Sequence, residues 1–190
     1  MTTAPRVLYL LTCGATVGDG IYDFVRHVLD DGWQVCAITT PMGDRFVDTD
    51  RLRTLTGHPV RSTYKNPEDP DILPPGDVFV VAPATFNTVN KIANGISDTL
   101  GVGLICEAIG NDKPVIIAPW SNRALARHGA YARSLQYLRD DSVRLVLTSR
   151  TESGGPLTDP GGQFPWAQVL AEARKFSNIT ANAEHSPDIQ

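Results

Sequence analysis

The segment Val78–Ser97 reads VFVVAPATFNTVNKIANGIS and joins the pattern of a strand to that of a helix. Its first five residues, ending at Ala82, are apolar and rich in β-branched side chains, which predicts a strand buried on both faces. Because proline cannot donate to a sheet ladder, we expect this strand to end at Pro83. Apolar residues at helical spacing then predict a helix that ends at Gly95.

Small and polar residues form the turn between this strand and this helix, at positions 84–88. In open α/β sheets, ligands bind beyond the carboxyl ends of the strands, where the N–H groups of helix N-termini are free. The turn therefore predicts a ligand-binding edge of a sheet.

Length and composition exclude several classes of protein. The chain has 190 residues, enough for one domain with a sizeable core, and its net charge of −4 without a basic run argues against nucleic-acid binding. Its apolar runs are too short to span a membrane, and the first residues do not form a signal-peptide pattern. The three cysteines are widely spaced, so we expect neither disulfides nor a metal site, and we expect a cytoplasmic protein.

The first forty residues predict a βαβ unit with a right-handed crossover. Strands are expected over 6–12 and 33–40, with a helix around 21–28 between them. The glycine-rich turn at 13–20 is either a tight structural turn or a site where backbone amides approach a phosphate. Its glycines do not have the Gly-x-Gly-x-x-Gly spacing, so a dinucleotide fingerprint is not supported.

The rest of the chain continues the alternation of strands and helices. Further strands are predicted over 114–119 and 143–147, and further helices over 48–55, 99–109, 124–138 and 165–176. We therefore expect an α/β fold of three layers with a mainly parallel sheet, flavodoxin- or Rossmann-like. It should form a single domain over 1–178, followed by a polar tail over 179–190.

Two adjoining motifs resemble those of the homo-oligomeric flavin-containing cysteine decarboxylases. Residues 83–88, PATFNT, are similar to the family's Pro-Ala-Ser/Thr-Ala-Asn-Thr motif, and residues 91–100, KIANGISDTL, to its Lys-Ile-Ala-x-Gly-Ile-Ala-Asp-Asn-Leu motif. The family includes phosphopantothenoylcysteine decarboxylases and enzymes that decarboxylate the C-terminal cysteine of lantibiotic-type peptides. The resemblance extends over residues 6–148.

The resemblance implies FMN bound without a covalent link at a subunit interface, in a homotrimer or a homododecamer. It also implies that three turns after strands contact the cofactor. In this sequence the residues concerned are Gly14, Ala15, Thr16, Thr40, Phe46, Ala84, Thr85, Asn87 and Thr88. Ala15 replaces the family's serine, so Thr12 or Thr16 is expected to supply the hydroxyl. Phe46 either packs beside the flavin or anchors the core.

Residues 119–125 resemble the family's substrate-recognition motif, Pro-x-Met-Asn-x-x-Met, with Ser121 and Leu125 replacing its methionines. Asn122 matches the motif's asparagine, and its amide can both donate to a carboxylate and accept from a donor. The alternative is that Asn122 caps the following helix.

The family's catalytic histidine has no counterpart in the polar, proline-rich connection at 62–77. The family's spacing sets Asp69 at its position, and Asp71 follows closely. These carboxylates are either catalytic acids or part of a solvated loop. Cys13 is interpreted as a packing residue, because nothing near it in the sequence marks an activated thiol. The segment 148–163 is rich in Ser, Gly and Pro, which favours a mobile loop and, by resemblance, a substrate lid.

The resemblance implies FMN-dependent oxidative decarboxylation of a cysteine carboxylate, in a peptide or a small thiol-carboxylate substrate. The flavin would oxidise the cysteine to a thioaldehyde-like intermediate, from which the carboxylate leaves as carbon dioxide. The altered motif and the missing histidine favour the C-terminal cysteine of a ribosomally made peptide. The alternatives are a phosphopantothenoylcysteine decarboxylase and a non-catalytic FMN-binding regulatory subunit. A prenyl-flavin synthase is disfavoured, because the Ser-Gly-Ser and arginine-rich segments of that family are not evident.

Overall fold

A computed structural model describes residues 5–70, 72–147 and 163–177. Its strands are β1 (Val7–Thr12), β2 (Gln34–Thr39), β3 (Val78–Ala84), β4 (Val115–Pro119) and β5 (Arg144–Leu145). Its helices are α1 (Gly20–Asp30), α2 (Thr49–Thr56), α3 (Phe86–Ala93), α4 (Leu100–Gly110), α5 (Arg123–Ala126), α6 (Gly129–Asp140) and α7 (Trp166–Arg174).

The strands form one parallel sheet in the order β2-β1-β3-β4-β5. The chain first builds outward from β1 to β2, then returns to the other side of β1 with β3. The carboxyl ends of β1 and β3 therefore border the point at which the strand order reverses, where doubly wound sheets bind their ligands. The predicted parallel α/β fold is confirmed, with the flavodoxin-like order.

Helices cover both faces of the sheet. Alternate side chains of β1 point to opposite faces, because successive residues of a strand do so. Leu8 and Leu10 belong to a buried cluster with residues of α1, α2 and α7, whereas Tyr9 and Leu11 belong to one with residues of α3, α4 and α6. The two clusters are the cores on either side of a three-layer fold.

The prediction that the central strand ends at Pro83 is wrong, since β3 continues to Ala84. The register between β3 and β4 shifts between Val81 and Ala84, and the Trp120 N–H donates to the Ala84 carbonyl oxygen at 2.7 Å. Pro83 lies within this irregularity, where the sheet ladder does not need the N–H that proline lacks.

The helix predicted over 124–138 is in fact two helices, α5 and α6. His128 between them has an extended backbone, and its Nδ1 accepts a hydrogen bond from the Ala130 N–H at 3.1 Å. A side-chain acceptor thus caps α6 at its first turn, and the glycine at position 129 lowers the helix propensity at the break.

Part of the sequence-based interpretation lies outside the described residues. This holds for Asp71, for the proposed lid at 148–163 except Gln163, and for the tail at 179–190. Within the residues that are described, no helix has the length and apolar character needed to cross a membrane.

Candidate functional site

An open cavity of about 1000 Å³ lies at the carboxyl edge of the sheet. Four segments supply most of its lining: the turn after β1 (14–16), the turn after β2 (40–42), the first turn of α3 (85–88) and the turn after β4 (120–122). Its volume is at the upper end of the range for small-molecule sites, about 300–1,000 Å³. The cavity therefore has room for a ligand of nucleotide size.

Two glycines let the turns after β1 and β2 pack against each other. A Cβ on Gly43 would lie 2.6 Å from the Thr12 carbonyl oxygen, and a Cβ on Gly14 would lie 2.8 Å from Cγ of Met42. Thr40 holds the second turn, since its Oγ1 accepts from the Gly43 N–H at 3.0 Å and its own N–H donates to the Thr12 carbonyl oxygen at 3.0 Å. Backbone and small side chains thus form this wall.

The N-terminus of α3 forms another wall. Thr85 is the N-cap residue, and its Oγ1 lies 3.1 Å from Oγ1 of Thr88. The first N–H groups of a helix lack intrahelical partners and carry partial positive charge. The cavity therefore includes donors suited to an anionic or oxygen-rich ligand group.

Seven of the nine residues predicted to contact a cofactor line this cavity: Gly14, Ala15, Thr16, Thr40, Thr85, Asn87 and Thr88. Ala84 is instead fully buried within β3, below the cavity. Phe46 lies behind the first turn, with a ring atom 3.3 Å from the position of a Cβ on Gly14. Its side chain is 43% exposed, so Phe46 is not a core anchor.

Asn122 has the capping role that was considered as an alternative, and it also lines the cavity. Its Oδ1 accepts from the Leu125 N–H at 3.0 Å and begins α5. In the part of the chain that is described, its amide nitrogen has no protein acceptor. The cap thus occupies the amide oxygen and leaves the nitrogen able to donate to a ligand.

Asp69, in the connection before β3, is not brought to the cavity of this chain. Asp69 is exposed, and its Oδ2 accepts from the Asn66 N–H at 3.1 Å within the same turn. The cavity lining does not include Asp69. Lys91 does line it and forms an ion pair with Asp98 at 2.5 Å.

The Cys13 thiol is unsuited to act as a nucleophile. Burial raises the pKa of Cys13 to about 11, and contacts with Thr88 and Thr85 offset this only in part. The thiolate is the reactive form of cysteine, and it is scarce at neutral pH when the pKa is this high. The interpretation of Cys13 as a packing residue therefore agrees with its environment.

Sequence reasoning missed two buried hydroxyls and several apolar side chains of the cavity. Oγ1 of Thr99 and Oγ of Ser121 are buried, line the cavity and have no hydrogen-bond partner among the described residues. Phe86, Trp120 and Val102 supply apolar surface. In the sequence, Ser121 was recognised only as a replacement for the motif's methionine. Thr99 directly precedes a predicted helix, and this position was the signal that could have marked it as a helix-capping residue.

The Flavoprotein family profile matches residues 2–173 of this chain. The chain belongs to the flavoprotein family. This confirms the resemblance inferred from the motifs at 83–88 and 91–100, and it supports the predicted FMN cofactor.

Three relatives illustrate the similarity. A cysteine/cysteine sulfinic acid decarboxylase from an unknown prokaryotic organism is 29% identical, covering 66% of this chain and 36% of the relative. A probable phosphopantothenoylcysteine decarboxylase from Arabidopsis thaliana is 28% identical, covering 95% of this chain and 96% of the relative. The crystal structure of TvaF, an FMN-dependent cysteine decarboxylase from thioviridamide biosynthesis, has a TM-score of 0.63 at 24% identity and covers 90% of this chain and 99% of its own.

The structural similarity to TvaF confirms the fold. The chain spans only part of some curated relatives, 36% of the cysteine decarboxylase and 30% of a bifunctional coenzyme A biosynthesis protein from Bacillus subtilis.

The residues of the cavity fit a flavin mononucleotide. Buried hydroxyls without partners need a ligand or water to complete their hydrogen bonds, and Thr99 supplies one at the cavity wall. The hydroxyls of the turns and the N–H groups of α3 suit phosphate and ribityl oxygens. The side chains of Met42, Phe86 and Trp120 offer apolar surface for an aromatic ring system.

Proposed function

We propose that this flavoprotein catalyses the FMN-dependent oxidative decarboxylation of a cysteine carboxylate, with the C-terminal cysteine of a ribosomally made peptide as its substrate. The observation that carries the proposal is a single continuous cavity. This cavity is lined by the three turns that are expected to contact FMN. The same cavity is also lined by Asn122 of the substrate motif. Relatives named for decarboxylation of cysteine or of a cysteine conjugate support the reaction class.

In this proposal the flavin supplies the two-electron oxidation of the cysteine that makes loss of carbon dioxide possible. The turn at 14–16, Thr40 and the N-terminus of α3 hold its phosphate and hydroxyl oxygens. Asn122 donates from its amide nitrogen to the substrate carboxylate while its oxygen caps α5. Asp69 and Asp71 remain proposed acids, which would act from a neighbouring copy of the chain because Asp69 does not line this cavity.

A peptide substrate is favoured by the openness of the substrate side of the cavity. Asn122 and Leu125 at its rim are exposed, so a chain that leaves the cavity can continue over the surface of α5. Ser121 and Leu125 stand where the family has methionines. We propose that this changed wall suits a peptide terminus.

We further propose that the protein is a homotrimer or a homododecamer, in the cytoplasm, and that residues 1–178 form one domain. Apolar side chains around the cavity support an interface between copies, because large exposed apolar patches mark interaction sites. Met42 is 55% exposed and Leu125 is 38% exposed.

The proposal is tested first by the absorption spectrum of the purified protein, with mass identification of the released chromophore. FMN is the expected result, and a protein that neither carries nor takes up FMN contradicts the proposal. The second step is incubation with a peptide ending in cysteine, with the same peptide ending in serine as control. A product that has lost carbon dioxide is expected only from the first peptide.

A non-catalytic, FMN-binding regulatory subunit remains the second candidate, and one observation favours it. Among the described residues that line the cavity, none is an aspartate, glutamate, histidine or cysteine. A carboxylate, imidazole or thiol that acts as general acid or base would therefore have to come from another copy or from elsewhere in the chain. FMN binding without turnover of cysteine peptides or phosphopantothenoylcysteine would favour this candidate, whereas turnover of phosphopantothenoylcysteine alone would favour the coenzyme A enzyme.

A further inference from the structure

Two buried hydroxyl groups lie next to each other beneath the substrate side of the cavity. Ser121 follows β4, is 7% exposed and lines the cavity. Tyr131 belongs to α6 and is 1% exposed. Neither hydroxyl has a hydrogen bond of good geometry to any described residue.

The Tyr131 phenol is held in the protonated form and in a fixed position. Burial raises the pKa of Tyr131, and the nearby Ser121 hydroxyl offsets this only in part. The ring stacks on Phe86, with centroids 5.6 Å apart and planes 21° apart, and Phe86 itself lines the cavity. Tyr131 is thus a rigid donor beside Ser121.

The arrangement that we consider needs the Ser121 side chain to turn until its oxygen accepts from the neighbouring Tyr131 hydroxyl, which hydroxyl chemistry permits because each group can both donate and accept. The Ser121 hydrogen is then directed to the cavity, where the ligand supplies the acceptor. A buried hydroxyl left without a partner is costly, so a ligand group that accepts this bond is preferred over an apolar one. The relay also strengthens the outer donor, since hydrogen bonds in a chain polarise one another.

The donors next to Ser121 indicate which chemical group of a ligand would fit this part of the cavity. Asn122, whose amide nitrogen has no acceptor among the described residues, and Lys91, whose ammonium is paired with Asp98, also line the cavity. A group with two acceptor oxygens and a negative charge uses several such donors at once, and hydrogen bonds to ionised acceptors are the stronger kind.

We propose that Ser121, oriented by Tyr131, donates a hydrogen bond to the free carboxylate of the substrate and makes the cavity selective for a C-terminal acid. This inference rests on the proposed function for the identity of the substrate. It gives Ser121 a role that the family's methionine side chain, which lacks a donor, cannot perform. Ser121 binds the substrate, and Tyr131 is a positioning residue.

The test compares two peptides that differ only at the C-terminus, one ending in serine free acid and the other in serine amide, because a peptide ending in cysteine would be consumed during the titration. Their affinities for the FMN-loaded protein are measured by calorimetry, for the wild type and for Ser121→Ala, Ser121→Thr and Tyr131→Phe. We expect Ser121→Ala to weaken binding of the acid by about tenfold or more and to leave the amide unchanged. Ser121→Thr should keep the preference, and Tyr131→Phe should lose part of it.

Ser134→Ala serves as the matched control. Ser134 is a buried serine of α6 whose hydroxyl donates to Oδ1 of Asn90 at 2.6 Å, and it does not line the cavity. This variant should lose stability in thermal melting but keep the preference for the acid.

The outcomes separate this inference from the proposed function. The inference is overturned if the wild type does not bind the acid more tightly than the amide. It is also overturned if Ser121→Ala weakens the binding of both peptides equally, or weakens the binding of neither. If carbon dioxide is released but the preference survives in Ser121→Ala, the inference alone fails. If the preference depends on Ser121 but no peptide is decarboxylated, the inference stands and the proposed function fails.

Discussion

At the scale of single residues, the shape of the cavity depends on glycines, which have no side chain, as well as on the side chains that line it. Gly43 lies so close to the end of β1 that a Cβ would be 2.6 Å from the Thr12 carbonyl oxygen. A backbone atom cannot move aside as the end of a flexible side chain can. The contact between the first two turns therefore requires glycine at this position.

Gly43→Ala is expected to lower the free energy of unfolding by about 1–3 kcal/mol, the usual cost of overpacking, and to weaken FMN retention. Urea denaturation and flavin content measure the two effects. Gly110→Ala is the control, because a Cβ at this position in α4 meets no atom within 4 Å and alanine favours a helix. Equal stability of the two variants would show that the turn can relax.

At the scale of secondary structure elements, α5 is a four-residue helix that depends on its cap. Asn122 supplies that cap and is also the proposed contact to the substrate carboxylate. The two roles use different atoms of one amide, so they can be separated by substitution. Aspartate caps helices as well as asparagine does but lacks the N–H donor.

Asn122→Ala is expected to lose about 1 kcal/mol of stability with the cap, whereas Asn122→Asp should remain close to the wild type. Both variants should lose affinity for the carboxylate peptide, because both lack the amide donor and aspartate adds a negative charge. Thermal melting and calorimetric binding measure the two effects. Retained binding in Asn122→Asp would mean that Asn122 acts only as a cap.

The secondary structure elements also show which features of the fold and the cavity could be predicted from the sequence alone. The alternation of strands and helices predicted the parallel sheet, and the motifs after the strands pointed to seven residues that line the cavity, because these signals are local. The continuation of β3 through Pro83 depends on its pairing with β4, which is not local. Ser121 lies in the turn after β4 and Tyr131 on α6, and no motif or periodicity in the sequence shows that their hydroxyls are neighbours.

At the scale of the whole molecule, some of the exposed apolar side chains lie at or beside the cavity. Met42 is 55% exposed and lines the cavity, and Phe46 lies close to the same turn. Leu125 lies on the cavity wall formed by α5. A second copy of the chain that covered these side chains would also close the cavity, so assembly and FMN binding should be coupled.

Met42→Glu is therefore expected to shift the assembly towards monomers and to reduce FMN content, because it buries a charge in the proposed interface. Light scattering during gel filtration measures the mass, and absorbance measures the flavin. Tyr137→Glu is the control: Tyr137 is 53% exposed on α6 and is not part of the cavity lining. Unchanged mass in the Met42 variant would contradict an interface at this edge.

The strand order has a consequence for how the protein is made. The walls of the cavity come from positions as far apart as Gly14 and Leu125, and they meet only after β4 has joined the sheet beside β3. A nascent chain that has emerged only as far as α3 has the glycine turn and the helix N-terminus that line the cavity, but it lacks the wall that follows β4. Cofactor capture therefore reports that the sheet has been assembled as far as β4, and a bound ligand selectively stabilises the folded state.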